Sequence, residues 1–537
     1  MTTNTDQAPL GANDYRSPTH GANKNDIVDE AEKLGVTVEE IAVVRVTEED
    51  LMKISAECFS FRSKAGLRMV GVMLVMACNQ AGFGVDWGVI GGINSMPLWH
   101  SYFGFGNSGS TLGTINALMM IGSFCGAPFL GLSDVLGRRG VNFLGNAIVI
   151  VGALLQGLAP NIACFMVGRF VLGFGTSLMA APQYMAEVAP VHMRGRLVGI
   201  FGACFTIGSM LMSGLMMIFT KMDSNWQWRG PLLLAGIFPL CVCSLIYVLC
   251  PESPRYDVIK GRPDKARRTI AKFMTTNNDI HAPIVDLMIA EIETSLETSR
   301  AGAIRIWDWR PFFTRAAGYR TLLIVVYSCF QQWNGGGVIG YYLSPALDTV
   351  GITDSMSQLG IQLGQTATGF VFTLVGAFIL CQTAATITSW QYAERNSSGT
   401  AILTVFWFFL YQIFSASLIT TMHNLYPVEF LSLTLRAKGM GMYSMVQGAA
   451  GVVQSYGISV GINKIGYKIW VVYIVYNSLQ LIVAYFLFPE TSKLTLEEID
   501  TIFETPGVNP VKMSLKIEKA RKEREAAERD EALGHGA

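Results

Sequence analysis

Residues 184–194 read Tyr-Met-Ala-Glu-Val-Ala-Pro-Val-His-Met-Arg, and residues 426–436 read Tyr-Pro-Val-Glu-Phe-Leu-Ser-Leu-Thr-Leu-Arg. Each stretch sets a glutamate three residues after a tyrosine and an arginine seven residues after that glutamate. Glu187 and Glu429 are 429 − 187 = 242 positions apart. A second landmark keeps almost the same register: Pro251-Glu252-Ser253 returns as Pro489-Glu490-Thr491, an offset of 490 − 252 = 238. Agreement to within 242 − 238 = 4 positions at two places points to a duplicated chain.

Around these landmarks the sequence is apolar. Of 537 residues 51% are hydrophobic and 15% charged, against about a quarter charged in soluble proteins. Charge-poor runs lie near 69–92, 111–133, 141–159, 162–184, 198–220 and 230–250, and again near 320–343, 358–390, 400–423, 440–463 and 469–488. A run of about 18 apolar residues or more is long enough to cross a ~30 Å hydrocarbon layer. The fold predicted is an all-α, polytopic membrane protein of two six-helix halves, with eleven clear spans and lipid as its surroundings. Residues 1–68 form an N-terminal tail, 69–250 the first half, 251–319 a polar linker with short helices such as 283–298, 320–490 the second half and 491–537 a C-terminal tail. The first 60 residues lack a basic stretch followed by an apolar core, so they read as a disordered tail and not a cleaved signal. Lys and Arg favour cytoplasmic loops. Arg62, Lys64 and Arg68 before the first span, Arg138 and Arg139, Arg194 and Arg196, and Arg255, Lys260 and Arg262 therefore put the N-terminus inside.

Composition excludes several classes. Net charge is zero with no dense basic patch, which argues against nucleic acid. The ten cysteines include no CxxC pair, so neither a disulfide framework nor a zinc site is indicated. Six scattered histidines and glycine runs without phosphate-loop spacing give no enzyme site and no cofactor.

An ionisable side chain inside an apolar helix is costly and marks a functional position by default. Asp86 is such a residue, and Arg169 in the fourth span is its candidate partner. The two form either a static pair between helices or a pair that a proton breaks. Gln331 and Gln332 place amides inside another span, where unsatisfied polar groups cost several kcal/mol. A polyhydroxylated ligand would satisfy them, as would hydrogen bonds between helices. Trp333 offers a ring face for stacking, and Tyr341 and Tyr342 lie ten residues further on. Asp134, Arg138, Arg139, Glu187, Arg194, Glu252 and Arg255 fall at cytosolic helix ends of the first half, and Glu429, Arg436 and Glu490 hold equivalent places in the second. They are candidates for an inner gate that forms and separates as the halves rock, or for charge placement alone.

Taken in order, these segments resemble the sugar porter family of the major facilitator superfamily, over about residues 70–505. The resemblance rests on Gly82-Phe-Gly-Val-Asp86, Asp134-Val-Leu-Gly-Arg-Arg139, and Gly168-Arg169 through Pro182, Tyr184, Glu187 and Arg194. Pro251-Glu-Ser-Pro-Arg255, Gln331-Gln332 with Tyr341-Tyr342, and Pro489-Glu-Thr491 with Leu494–Ile499 complete it. Gln227-Trp-Arg229 and residues 409–439 are most similar to the fungal lactose permease and hexose transporter branch. The resemblance implies transport of a sugar, either a hexose or a disaccharide such as lactose, or of a related polyol. It further implies alternating access, proton symport through Asp86 and Arg169, a plasma-membrane location and a cytosolic C-terminal tail. A sugar sensor without flux, or an inactive truncated transporter, is the alternative.

Two departures qualify that expectation. Positions of the family's site are changed: Gly335-Gly336-Gly337 stands for the seventh-helix asparagine and Gly202 for a fifth-helix amide, while Asn424, a candidate substrate-binding residue near the end of the 400–423 span, takes the place of an aromatic or small residue. Residues 355–393, between Asp354 and Glu394, form an uncharged stretch that is long for one helix and short for two. The 242 offset would place a second Asp-x-x-Gly-Arg-Arg at 376–381, where the chain reads Gly-Ala-Phe-Ile-Leu-Cys. A shortened or re-entrant segment is expected there.

Overall fold

The computed structural model describes residues 48–179, 181–301, 310–313, 315–334, 336–372, 398–415, 431, 436–489, 502–503, 510–517 and 519. Among these residues the secondary structure is helical, without strands. The first half contributes α1 (Lys64–Ile93), α2 (Ser110–Gly126), α3 (Ser133–Gly157), α4 (Ile162–Ser177), α5 (Arg194–Phe219) and α6, which runs as Trp226–Leu234 and Ile237–Leu249. The second contributes α7 (Arg315–Gln332, resuming as Gly336–Tyr341), α8 (Ser355–Phe372), α9 (Ser398–Ser415), α10 (Arg436–Ile465) and α11 (Ile469–Leu487). Segments Lys64–Ile93, Ser110–Gly157, Ile200–Phe219, Trp226–Leu249 and Ile469–Leu487 are long and apolar enough to cross a membrane.

The duplication is visible in the backbone. Helix α5 begins at Arg194 and α10 at Arg436, 436 − 194 = 242 positions apart; α6 ends at Leu249 and α11 at Leu487, 487 − 249 = 238 apart. Both values equal the offsets between the sequence landmarks.

Helices α2 and α10 run antiparallel along the seam between the halves. Gly113 faces Ser459, Met120 faces Gly451, and Phe124 faces Gly448. Arg436 therefore starts its helix at the end of the bundle that carries Asp134–Arg139, here called the basic end. The opposite, far end holds the α1–α2 connection and the short helix Leu343–Asp348.

Apolar packing differs between the ends. At the far end one continuous cluster joins residues of both halves, among them Val89, Trp99 and Met216 with Tyr341, Leu359 and Ile458. At the basic end Met69, Tyr184 and Ile246 belong to a first-half cluster, and Leu323, Leu431 and Tyr443 to a second-half cluster.

Two stretches differ from the sequence expectation. Within the stretch read as a disordered tail, Glu48–Cys58 is a helix. It is held because Ile54 and Cys58 pack on the linker's apolar cluster and the Cys58 carbonyl accepts from Thr276 N at 2.9 Å. The Asp134–Arg139 motif, expected as a loop, is helical on both sides of Gly137, which alone turns the chain with φ 82°. That angle favours glycine, and a Cβ there would also lie 2.5 Å from Glu252 Oε2. The question of one or two spans in 355–393 falls partly on residues 373–397, which lie outside the described residues.

Candidate transport site

Asp86 on α1 and Arg169 on α4 meet in the interior of the first half. Arg169 Nη1 donates to Asp86 Oδ1 at 3.3 Å, and the side chains are 0% and 6% exposed for arginine and aspartate respectively. Arg169 Nη2 turns to Met119 Sδ at 3.2 Å, a soft acceptor. Among the described residues Asp86 Oδ2 and Arg169 Nε have no hydrogen-bond partner. A buried pair with unfilled valences adds little net stability, although removing one partner strands a buried charge.

The next residue, Trp87, carries the site across the seam. Its ring packs against Tyr341 with centroids 4.3 Å apart. Tyr341 is fully buried and its hydroxyl has no partner among the described residues. Neighbouring Tyr342 donates its hydroxyl to the Ser455 carbonyl of α10 at 2.6 Å. The sequence offered the Asp86–Arg169 pair and the tyrosine pair as separate features; the fold makes them adjacent.

Helix α7 breaks between Gln332 and Gly336. The break is capped: Asn334 Oδ1 accepts from Gly336 N at 2.7 Å, and Asn477 Nδ2 donates to the Asn334 carbonyl at 3.2 Å. Interrupted helices that free backbone groups near the membrane midplane are a feature of solute sites. Gln331 and Gln332 are half-buried on the last turn before the break, Gln331 Nε2 donating to Tyr327 Oη at 3.3 Å. Trp333 is fixed by its indole N–H to the Ala450 carbonyl at 2.9 Å and by an edge contact with Tyr476.

Helix α8 adds three buried glutamines that the sequence reading did not single out. Gln358, Gln362 and Gln365 are spaced i, i+4, i+7 on one helical face, a pattern that could have revealed them. Gln358 accepts from Ser344 Oγ at 2.6 Å and donates to Asp348 Oδ1 at 2.7 Å. Gln362 Nε2 crosses the seam to the Gly88 carbonyl at 2.9 Å, while Gln365 Nε2 has no partner.

At the basic end, Arg138 is 3% exposed and binds Asp134 at 2.6 Å, Glu187 at 3.2 Å and the Ser133 carbonyl at 3.0 Å. Glu252 accepts from Arg139 N at 3.2 Å, with the Arg139 guanidinium 3.8 Å away. Ser253 Oγ donates to Glu187, which ties the two clusters together. Arg194 and Arg255 are half-buried on neighbouring helix starts. Glu429, Glu490 and Asn424 lie outside the described residues; Arg436 begins α10, its side chain outside them too.

The model of the Sugar (and other) transporter family matches residues 72–503. The chain belongs to that family. It is an integral, multi-pass membrane transporter and not an enzyme. MFS-type transporter oryC of Aspergillus oryzae is 28% identical over 470 residues, covering 81% of this chain and 85% of its own. Myo-inositol transporter 3 of Cryptococcus neoformans is 25% identical over 520 residues, covering 86% and 83%. The proton:xylose symporter XylE of E. coli, solved bound to 6-bromo-6-deoxy-D-glucose, has the same fold with a TM-score of 0.64. It is 21% identical, and the match covers 82% of this chain and 100% of XylE.

Among the described residues no three His, Cys, Asp or Glu side chains group as metal ligands. The polar groups along α7 and at its seam with α1 and α8 are amides, hydroxyls and one buried ion pair. Such a lining satisfies neutral hydroxyls better than charges.

Proposed function

We propose that this transporter carries a neutral polyhydroxylated solute, a sugar or polyol, by alternating access, with a proton taken up at Asp86. The observation that carries this is the buried Asp86–Arg169 pair, one residue from the Trp87–Tyr341 contact with the broken helix α7. Protonating Asp86 removes the charge that holds Arg169, and the relaxation passes through Trp87 to the solute side. The basic end faces the cytosol, as Lys and Arg favour that side, and the far end faces out. The bonded far-end seam supports reading that side as the closed one. Myo-inositol and xylose, named for two relatives, head the list of solutes to try.

The test is uptake of labelled glucose, xylose, lactose and myo-inositol into cells expressing the chain, at pH 5 and pH 8, beside Asp86→Asn. Proton symport gives flux that is faster at pH 5 and falls to background in Asp86→Asn. Flux that ignores both pH and the substitution would overturn the proton coupling. Solute binding without flux would make the chain a sensor, and neither binding nor flux an inactive relative.

A further inference from the structure

Helix α10 lies along the stretch 333–342 and grips it at two points, Trp333 Nε1 to the Ala450 carbonyl and Tyr342 Oη to the Ser455 carbonyl. Between those points sits Gln454, only 6% exposed. Its side-chain amide abuts Gly337 so closely that a Cβ at 337 would lie 2.3 Å from Gln454 Nε2 and 2.6 Å from its Cδ. A side chain at 337 would require the Gln454 amide to move aside. The glycines of 335–337 leave α7 without an amide of its own at this level; α10 supplies one from across the break. Both neighbouring grips are satisfied hydrogen bonds, and the Gln454 side chain is enclosed between them against Gly337.

An amide enclosed to this degree costs free energy unless a hydrogen-bonding group reaches it, and a bound solute is one such group. We propose that Gln454 is a specificity-determining residue of this transporter, reading one hydroxyl, or one adjacent hydroxyl pair, of the bound polyol. The proposal rests on the reading of the solute as a sugar or polyol. An amide presents two donors and one acceptor two bonds apart, which matches a hydroxyl that both gives and accepts. A solute lacking that hydroxyl forgoes one neutral hydrogen bond to the amide, a penalty of about tenfold in affinity. Gly337 acts as a positioning residue, since its missing side chain sets how deep the amide reaches.

The experiment uses the full chain in proteoliposomes, with glucose, xylose and myo-inositol, and then every monodeoxy analogue of whichever solute moves. In the unaltered protein one analogue should show a KM about tenfold above its parent through loss of one neutral hydrogen bond. In Gln454→Leu the parent's KM rises to meet that analogue's, and discrimination at the other hydroxyls is kept. Gly337→Ala, which retains the amide but displaces it, erases discrimination at the same hydroxyl. It also serves as the second readout should Gln454→Leu fail to insert. An unchanged hydroxyl pattern in both variants, or an equal rise for all analogues, overturns the role of Gln454 alone. A protein that moves none of the solutes removes the underlying reading as well.

Discussion

The two ends of this transporter are held by different chemistry. At the far end the halves bond to each other: Asn94 Nδ2 donates to the Tyr341 carbonyl at 2.8 Å, Ser459 Oγ to the Gly109 carbonyl at 2.7 Å, and Asn107 to Asp348. These are mostly neutral bonds of about 1 kcal/mol each, laid over an apolar cluster that both halves share. At the basic end two arginines of the first half pair within that half, Arg138 with Asp134 and Glu187 and Arg139 with Glu252. A seam of many small terms can part step by step, whereas a buried arginine that loses its carboxylates costs several kcal/mol. The far-end bonds therefore suit a gate, and the described basic-end pairs suit the internal bracing of a half that moves as one body.

The largest effect should come from breaking the brace. Arg138→Met leaves Glu187 beside Ser253 without its cation and should cost about 3 kcal/mol. A drop in the melting temperature of the detergent-purified protein measures it, and an unchanged melting temperature would show the pairs to be surface ornament. A smaller effect is expected at the gate. Asp348→Ala removes the acceptor shared by Asn107 and Gln358, a loss of about 1–2 kcal/mol to the closed seam. Stability should hardly change. Instead the outward-open population should grow by roughly fivefold to thirtyfold, seen as longer distances between spin labels at Ser101→Cys and Thr353→Cys. Equal distances with and without Asp348 would deny the far end its gating role.

Much of this was legible in the residues. The duplicated landmarks of 184–194 and 426–436 gave the two halves, because a repeated helix start needs the same charges at the same spacing. Asp86 and Arg169 stood out because a charge in an apolar span is costly wherever it falls. Their closeness to Tyr341 was not legible, since it depends on how α1 crosses α7 at Gly340, where a Cβ would lie 2.7 Å from the Trp87 ring. Gln454 escaped notice for a related reason: one amide in an apolar helix reads as ordinary packing until the glycine opposite it is seen. The far-end gate has no charge motif at all, and neutral side chains such as Asn94 and Ser459 announce nothing until a partner's carbonyl is placed beside them.

The smallest effect concerns pH at the gate and separates its two titratable groups. His100, in the short helix Pro97–Phe103, bonds through Nε2 to the Asn94 carbonyl at 2.9 Å, and burial lowers its pKa from 6.5. Burial raises that of Asp348, against the pull of its bonds from Asn107 and Gln358 and of the nearby His100. In the opened gate both groups return toward their ordinary values. A histidine whose pKa is depressed in the closed state binds fewer protons there, so acidification from about pH 7 through 6.5 favours opening. A carboxyl whose pKa is raised in the closed state binds more protons there, so further acidification toward the ordinary carboxylate range favours closing again. Opening should thus pass through a maximum on the acid side of neutrality. In His100→Gln the rise between pH 7 and 6 should vanish while the closing at lower pH persists; in Asp348→Asn the rise stays and the closing is lost. The same spin-label distances, recorded from pH 7.5 to 4.5, distinguish the two arms. A flat profile in the unaltered protein would mean that the far end opens by its neutral bonds alone.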